Sequence, residues 1–259
     1  MDILKKPAQV AFSTAVWTVS FAWMGAVTAV WATSALFVPT RRTHNYIGGP
    51  GMATVLKFTL SDVEIIYHPD FDPERRSVFC QNHVNLLDAH VACKSIPHVF
   101  CGMMNAWQFK IPFYGWIMAL AKGIPVPKGQ GRFKAIAEAA KDRAAQGYSI
   151  LVFPEAHRTL DGQVREFKRG VFLMARGAGM PVVPLAVRGM RDLMRKGSLL
   201  VKPAKIQVLV GPQIETAGLD DDQLQEVVER TRTIVADFVD RGEIPPSRAQ
   251  LAGRAAGVA

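Results

Sequence analysis

The chain is poor in cysteine. Its 259 residues hold only Cys80, Cys93 and Cys101. An odd number at these spacings builds no disulfide framework, so reduced thiols in a cytosolic setting are the simplest reading. Neither C-x2-C nor H-E-x-x-H spacing links those cysteines to His83, His90 or His98, and no metal site is expected. G-x-S-x-G is missing too, which leaves a Ser or Cys nucleophile without a supporting motif. Acidic residues are in deficit, 22 against 31 Lys plus Arg, for a net charge of +9 and a pI of about 9.7. That balance favours anionic partners: nucleic acid, an anionic bilayer or a phosphorylated substrate, with plain solubility as the bland alternative. Basic residues are not interleaved with aromatics as in single-strand binders, so nucleic acid is not expected as a partner. There is no internal repeat.

The most informative absence is charge between Lys6 and Arg41. A single membrane span needs about 20 apolar residues, and this run is longer. One helix of about 30 residues would measure about 45 Å, long for a hydrocarbon core of about 30 Å unless strongly tilted. Lys5 and Lys6 precede the run and Arg41 and Arg42 follow it, with Gly25 near its middle. Basic flanks on both sides favour a bent helix pair embedded in one leaflet from the cytoplasmic face, with a tilted single span as the competitor. A buried core pair is the structural alternative. The run is too long for the apolar region of a cleaved signal peptide. Trp17, Trp23 and Trp31 suit a membrane interface.

Gly48-Gly49-Pro50-Gly51 reads as a chain break, dividing a membrane-associating segment at 1–47 from a globular domain at 48–242. Beyond it short apolar runs alternate with amphipathic ones. Strands are expected at 63–67, 77–81, 98–101, 149–153, 181–187 and 206–210, and helices at 86–94, 132–146 and 168–178. Leu224, Val227, Val228, Thr231, Ile234, Val235 and Phe238 fall on one face of a last helix that Gly242 ends. The remainder, 243–259, is rich in Ala, Gly and Arg and is expected to be a disordered tail. Alternating strands and helices imply an α/β fold with a central sheet.

Two places carry candidate chemistry. Residues five apart on a helix point about 140° away from each other, so His83 and Asp88 cannot meet inside one regular helix. Asn85 is a good N-cap, and a helix starting at Leu86 would leave His83 in the preceding turn, free to fold back on Asp88. A carboxylate on one imidazole nitrogen fixes the tautomer and makes the other a general base. A capping Asp88 beside a merely packed His83 is the alternative. The second place follows the apolar run 149–153, which delivers Glu155, His157 and Arg158 to a loop where α/β proteins bind ligands. Arg158 suits bidentate contact with phosphate or carboxylate, and Lys168 adds charge downstream. By itself this loop could equally be a surface salt-bridge cluster.

Taken in order, four blocks over residues 63–215 resemble the glycerolipid acyltransferases, the 1-acyl-glycerol-3-phosphate acyltransferase family. They are Asn82-His-Val-Asn-Leu-Leu-Asp88; Phe109-Lys-Ile-Pro-Phe-Tyr-Gly-Trp116 continuing to Gly123-Ile-Pro-Val-Pro-Lys128; Phe153-Pro-Glu-Ala-His-Arg-Thr159 with Phe167-Lys168 and Gly170; and Val183-Pro-Leu-Ala-Val187 with Gly189. The resemblance implies a mixed central sheet flanked by helices, an N-terminal membrane segment, and transfer of a fatty acyl group without a covalent acyl-enzyme or a cofactor. His83 would deprotonate the acceptor hydroxyl and Asp88 orient it, with Asn82 and Asn85 structural in the motif. Lys128, Glu155, His157, Arg158 and Lys168 would hold the acceptor, and Val183 and Pro184 would shape the acyl-donor pocket. The expected donor is acyl-carrier protein or acyl-CoA, and the expected acceptor a membrane lipid, 1-acyl-glycerol-3-phosphate first. The third block departs from the usual F-P-E-G-T-R, with Ala156-His157 in place of Gly-Thr. The second block ends in Lys128 rather than Arg, and Asn85 replaces Ser. These changes leave another lyso-lipid acceptor open, such as a lyso-ornithine lipid, and more remotely a non-catalytic lipid-binding protein or a hydrolase using water.

Overall fold

The computed structural model of the chain describes residues 5–111 and 114–256. Its centre is a seven-stranded sheet built from β1 (Asp62–Tyr67), β2 (Val78–Gln81), β3 (Phe100–Asn105), β4 (Ile124–Val126), β5 (Ser149–Val152), β6 (Val182–Arg188) and β7 (Lys205–Val210), in the order β1-β7-β6-β2-β5-β3-β4. All neighbours are parallel except the antiparallel pair β6–β7. The sheet is therefore mixed, as expected.

The helices are α1 (Lys5–Ser34), α2 (Thr40–Thr43), α3 (Gly49–Phe58), α4 (Asp88–Ser95), α5 (Tyr114–Leu120), α6 (Arg132–Ala145), α7 (Arg169–Gly177), α8 (Met190–Leu193), α9 (Asp221–Arg241) and α10 (Arg248–Ala256). They cover both faces of the sheet. The central strands β2 and β5 are buried along their whole length, the pattern of a parallel sheet covered on both sides. Side chains alternate between its two cores. Val78, Cys80, Ile150 and Val152 join Phe172, Leu224 and Phe238, while Phe79, Leu151, Val183 and Leu185 join Val55, Leu87 and Val91.

Helix α9 buries all seven of its expected apolar-face residues. Asp220 caps it, accepting from the backbone N–H groups of Asp222 and Gln223, and Gly242 ends it in the left-handed region at φ 72°. The stretch expected to be a disordered tail contains α10. Its entry is tied down where the Arg248 N–H donates to Asp70 Oδ2, and the Pro245 carbonyl lies 3.0 Å from His68 Nε2.

The N-terminal apolar run differs from the expected pair. It is one unbroken helix, α1, and Gly25 stands inside it with open space around it. It is long and apolar enough to cross a membrane, yet only 22% of its most apolar stretch is buried against the rest of the protein. Gly48-Gly49-Pro50-Gly51 does not break the chain. A π-helical turn (His44–Gly48) runs directly into α3, with Pro50 in the first turn where its missing N–H has no cost. These glycines are a contact surface for α1: a Cβ on Gly48 would lie 2.6 Å from the Trp31 ring, and one on Gly51 2.5 Å from Val27. Trp31 is accordingly buried, donating to Thr43 Oγ1 at 2.9 Å, and is not an interface aromatic.

Candidate active site

Three adjacent strands, β6, β2 and β5, end side by side at the site. Asn82, directly after β2, pairs with the end of β6: its amide donates to the Val187 carbonyl at 2.9 Å and its Oδ1 accepts from the Val187 N–H at 2.8 Å. The chain then turns sharply through His83. Asp88 closes that turn, its Oδ2 accepting from the N–H groups of Val84 at 2.6 Å and Asn85 at 3.0 Å. The same oxygen lies 2.7 Å from His83 Nδ1. Asp88 is 1% exposed while the His83 side chain keeps 24% of its surface open. With Nδ1 donating to a carboxylate, Nε2 is left as the lone-pair nitrogen on the more open partner of the pair.

The helix begins later than the cap argument placed it. Asn85 Oδ1 accepts from the Leu87 N–H at 2.8 Å, capping a preliminary turn, and α4 starts at Asp88 itself. The other end of Asn85 reaches the carbonyls of Met190 at 2.7 Å and Met194 at 3.2 Å. Asparagine thus supplies both an acceptor and a donor, and the turn is pinned to the segment after β6.

The loop after β5 comes to the same place. Phe153 stacks on the His83 imidazole, with ring centroids 4.0 Å apart and planes at 21°. Glu155 is 4% exposed and faces inward. Its two oxygens accept from the backbone N–H of His83 at 2.8 Å and of Arg165 at 3.0 Å. Burial pushes its carboxyl above the usual range, opposed by those two donors. Glu155, expected among the acceptor-holding residues, thus ties the histidine turn to the downstream loop. The Thr159 N–H donates to the His83 carbonyl at 2.8 Å, a second clasp. Ala156 has φ 64°, so this non-glycine residue occupies the left-handed region.

His157 is exposed and Arg158 half-buried. The Arg158 carbonyl accepts from Lys196 Nζ at 2.7 Å, and its guanidinium charge acts on the Tyr114 hydroxyl, which burial otherwise holds above its ordinary pKa. Lys168 and Lys128 are exposed, Lys168 just before α7 and Lys128 just after β4. Pro112 and Phe113 of the second block lie outside the described residues. Val183 and Pro184 are fully enclosed within β6, where Val183 fills the core shared with Phe79 and Leu151. They belong to the packing of the sheet, because β6 is buried along nearly its whole length. Sequence reasoning missed Phe153 as a partner of the imidazole and Lys196 as a partner of the Arg158 loop. An aromatic at the end of a buried strand was the available signal for the first; no local motif points to the second.

The metal-like grouping in sequence is dispersed by the fold. His90 Nδ1 lies 2.9 Å from the Met52 carbonyl, and His98 lies between the Pro73 carbonyl and Ser149 Oγ. Among the described residues no three His, Cys, Asp or Glu side chains converge as a metal site would require.

A solvent-reachable imidazole backed by a buried carboxylate, at the carboxyl edge of a mostly parallel sheet, is an arrangement chemically able to take a proton from a small nucleophile. The acyltransferase family model matches residues 59–188, half of the chain, and the chain belongs to that family. It is 31% identical over 138 residues to a 1-acyl-sn-glycerol-3-phosphate acyltransferase of Pseudomonas aeruginosa, covering 52% of each chain. It is 25% identical over 172 residues to one of Cocos nucifera, covering 66% of this chain and 56% of that one. The chain spans about half the length of the curated relatives it matches. The crystal structure of the 1-acyl-sn-glycerophosphate acyltransferase of Thermotoga maritima shares the fold, with a TM-score of 0.73 at 18% identity over 88% of this chain and 96% of that one.

Proposed function

We propose that the protein transfers a fatty acyl group from acyl-carrier protein or acyl-CoA to the free hydroxyl of a lyso-glycerolipid, with 1-acyl-glycerol-3-phosphate as acceptor and phosphatidic acid as product. The observation that carries this reading is the 2.7 Å contact of His83 Nδ1 with a buried Asp88 whose same oxygen also takes two backbone N–H groups. Those contacts fix the carboxylate, and it fixes the ring. The names of the relatives support the acceptor.

His83 Nε2 removes the proton from the acceptor hydroxyl as its oxygen attacks the thioester carbonyl carbon. Asp88 stabilises the imidazolium that forms. Collapse of the tetrahedral intermediate breaks the carbon–sulfur bond, and the imidazolium returns its proton to the departing thiolate. Lys128, His157, Arg158 and Lys168 are the groups assigned to the acceptor's phosphate region. The protein works at the cytoplasmic face of a membrane that holds the acceptor, attached through α1, and its excess positive charge favours an anionic surface.

The test is thiol release from acyl-CoA or acyl-carrier protein by the full chain in mixed micelles with lysophosphatidate. Wild type turns over and His83→Ala does not, while both keep the same circular dichroism. Turnover by His83→Ala would refute the mechanism. Fatty acid release without acceptor would assign a hydrolase. A panel of lyso-lipids compared between wild type and His157→Thr reads the head-group choice of the altered loop.

A further inference from the structure

The segment between α8 and β7 touches three parts of the molecule at once. It anchors the histidine turn where the Met194 carbonyl accepts from Asn85, and the Arg158 loop through Lys196. It also docks on α1: Trp17 Nε1 donates to the Leu199 carbonyl at 2.7 Å, and Ser13 Oγ accepts from the Val201 N–H at 2.9 Å. Between these anchors Leu199 and Leu200 stand out at 63% and 40% exposure. Two exposed leucines are ordinary on a protein surface. These two, however, adjoin the uncovered face of α1, where Trp17 packs against Phe21, itself 63% exposed. Arg195 and Lys202, both exposed, bracket them. An apolar tip flanked by cations is the pattern of a segment that dips below the headgroups while its charges remain at the phosphates.

We propose that residues 195–202 are a second bilayer contact, in which Leu199 and Leu200 insert beside α1 and Arg195 and Lys202 meet lipid phosphates. The proposal rests on the reading of α1 as membrane-embedded. Continuity with α1 selects a lipid surface as the occupant over a protein partner. It makes one bilayer contact continuous with the segment that holds Asn85 and the Arg158 loop, so the acceptor's plane is set relative to His83 by the same strap.

The test uses single cysteines at Leu200, at Phe21 on α1 and at Gln225 on α9, introduced one at a time into the full chain. Cys80 and Cys101 are buried, and the partly exposed Cys93 is replaced by alanine in every variant, so an exposed new cysteine is labelled selectively. Each carries an environment-sensitive fluorophore and is reconstituted into vesicles of phosphatidylcholine with phosphatidylglycerol. The expected result is a blue-shifted emission at Leu200 and Phe21, with iodide quenching several-fold weaker than at Gln225. Quenching at Leu200 equal to that at Gln225, with Phe21 protected, overturns the proposal and leaves the membrane reading of α1 intact. Free quenching at both Leu200 and Phe21 overturns that reading and the proposal with it. In the Leu200→Cys background, Arg195→Glu with Lys202→Glu removes the dependence of the blue shift on phosphatidylglycerol. An unchanged dependence refutes the assigned phosphate contacts.

Discussion

At the scale of single residues the site is organised by a shared oxygen. Asp88 Oδ2 serves His83 Nδ1 and two backbone N–H groups, so the carboxylate that supports the base also shapes its turn. Asp88→Asn keeps an acceptor for the backbone but loses the charge facing the imidazolium. The expected result is a kcat about 10²- to 10⁴-fold lower with near-native circular dichroism, measured as initial rates of thiol release; an unchanged kcat would remove Asp88 from the mechanism. Ala156 makes a different point. The motif comparison flagged it as a lost glycine, and the structure shows why glycine suits the position: φ is 64° there. An L-residue in that region costs about 1–2 kcal/mol, partly offset because glycine loses more backbone freedom on folding. Ala156→Gly should therefore stabilise the protein by about 0.5–1 kcal/mol, visible as a higher midpoint in thermal unfolding. A lower midpoint would show that the side chain is needed where it stands.

At the scale of elements, legibility followed periodicity. The seven buried positions of α9 could be read because 3.6-residue spacing, an Asp220 cap and a Gly242 stop all agree. The buried strands were likewise visible as short apolar runs, while helix geometry only left His83 free to fold back on Asp88, with a packed His83 beside a capping Asp88 as the alternative. Elements shaped by long-range contact were not legible. Gly48 and Gly51 look like a break in sequence, but their missing side chains make room for Trp31 and Val27 of α1. Gly48→Ala forces a Cβ into the Trp31 ring, so the docking of α1 on α3 should weaken by about 1–3 kcal/mol. Faster limited proteolysis between α1 and α3 measures it, and an unchanged cleavage rate would show that the helix shifts without loss. The Lys196 contact is equally invisible locally, since its partner lies 38 positions away. Lys196→Met should raise the acceptor KM more than the acyl-donor KM, because it frees the Arg158 loop and leaves the His83–Asp88 pair untouched. Equal changes in both would assign it a general structural role.

At the scale of the whole molecule, the histidines divide into two that stay open to solvent, His83 and His157, and several that the fold consumes. His44, His90 and His98 are each held down to about 4, principally by burial. At His90 and His98 loss of hydration outweighs the carbonyl contacts, which by themselves favour the protonated form. His90 faces the Met52 carbonyl from under α3. His98 lies between the Pro73 carbonyl and Ser149 Oγ, with Arg76 opposing a positive charge. In the unfolded chain these imidazoles take a proton near the ordinary value of 6.5; in the folded protein they do not until about 4. The unfolded state thus binds more protons between those values, and stability must fall as pH falls through that window. Above about 6.5 their contribution is fully present. Thermal unfolding of the full chain in detergent should therefore show a midpoint nearly level from pH 8 to pH 7, on the order of those reference values, and a steep decline below. His90→Asn retains a donor for the Met52 carbonyl but cannot titrate, so its midpoint should decline less steeply with acid than wild type, whatever its value at neutral pH. Parallel curves would show that His90 is not among the groups that bind the proton. The comparison separates acid sensitivity of the fold from acid sensitivity of the reaction, because the three imidazoles lie outside the group that touches the acceptor.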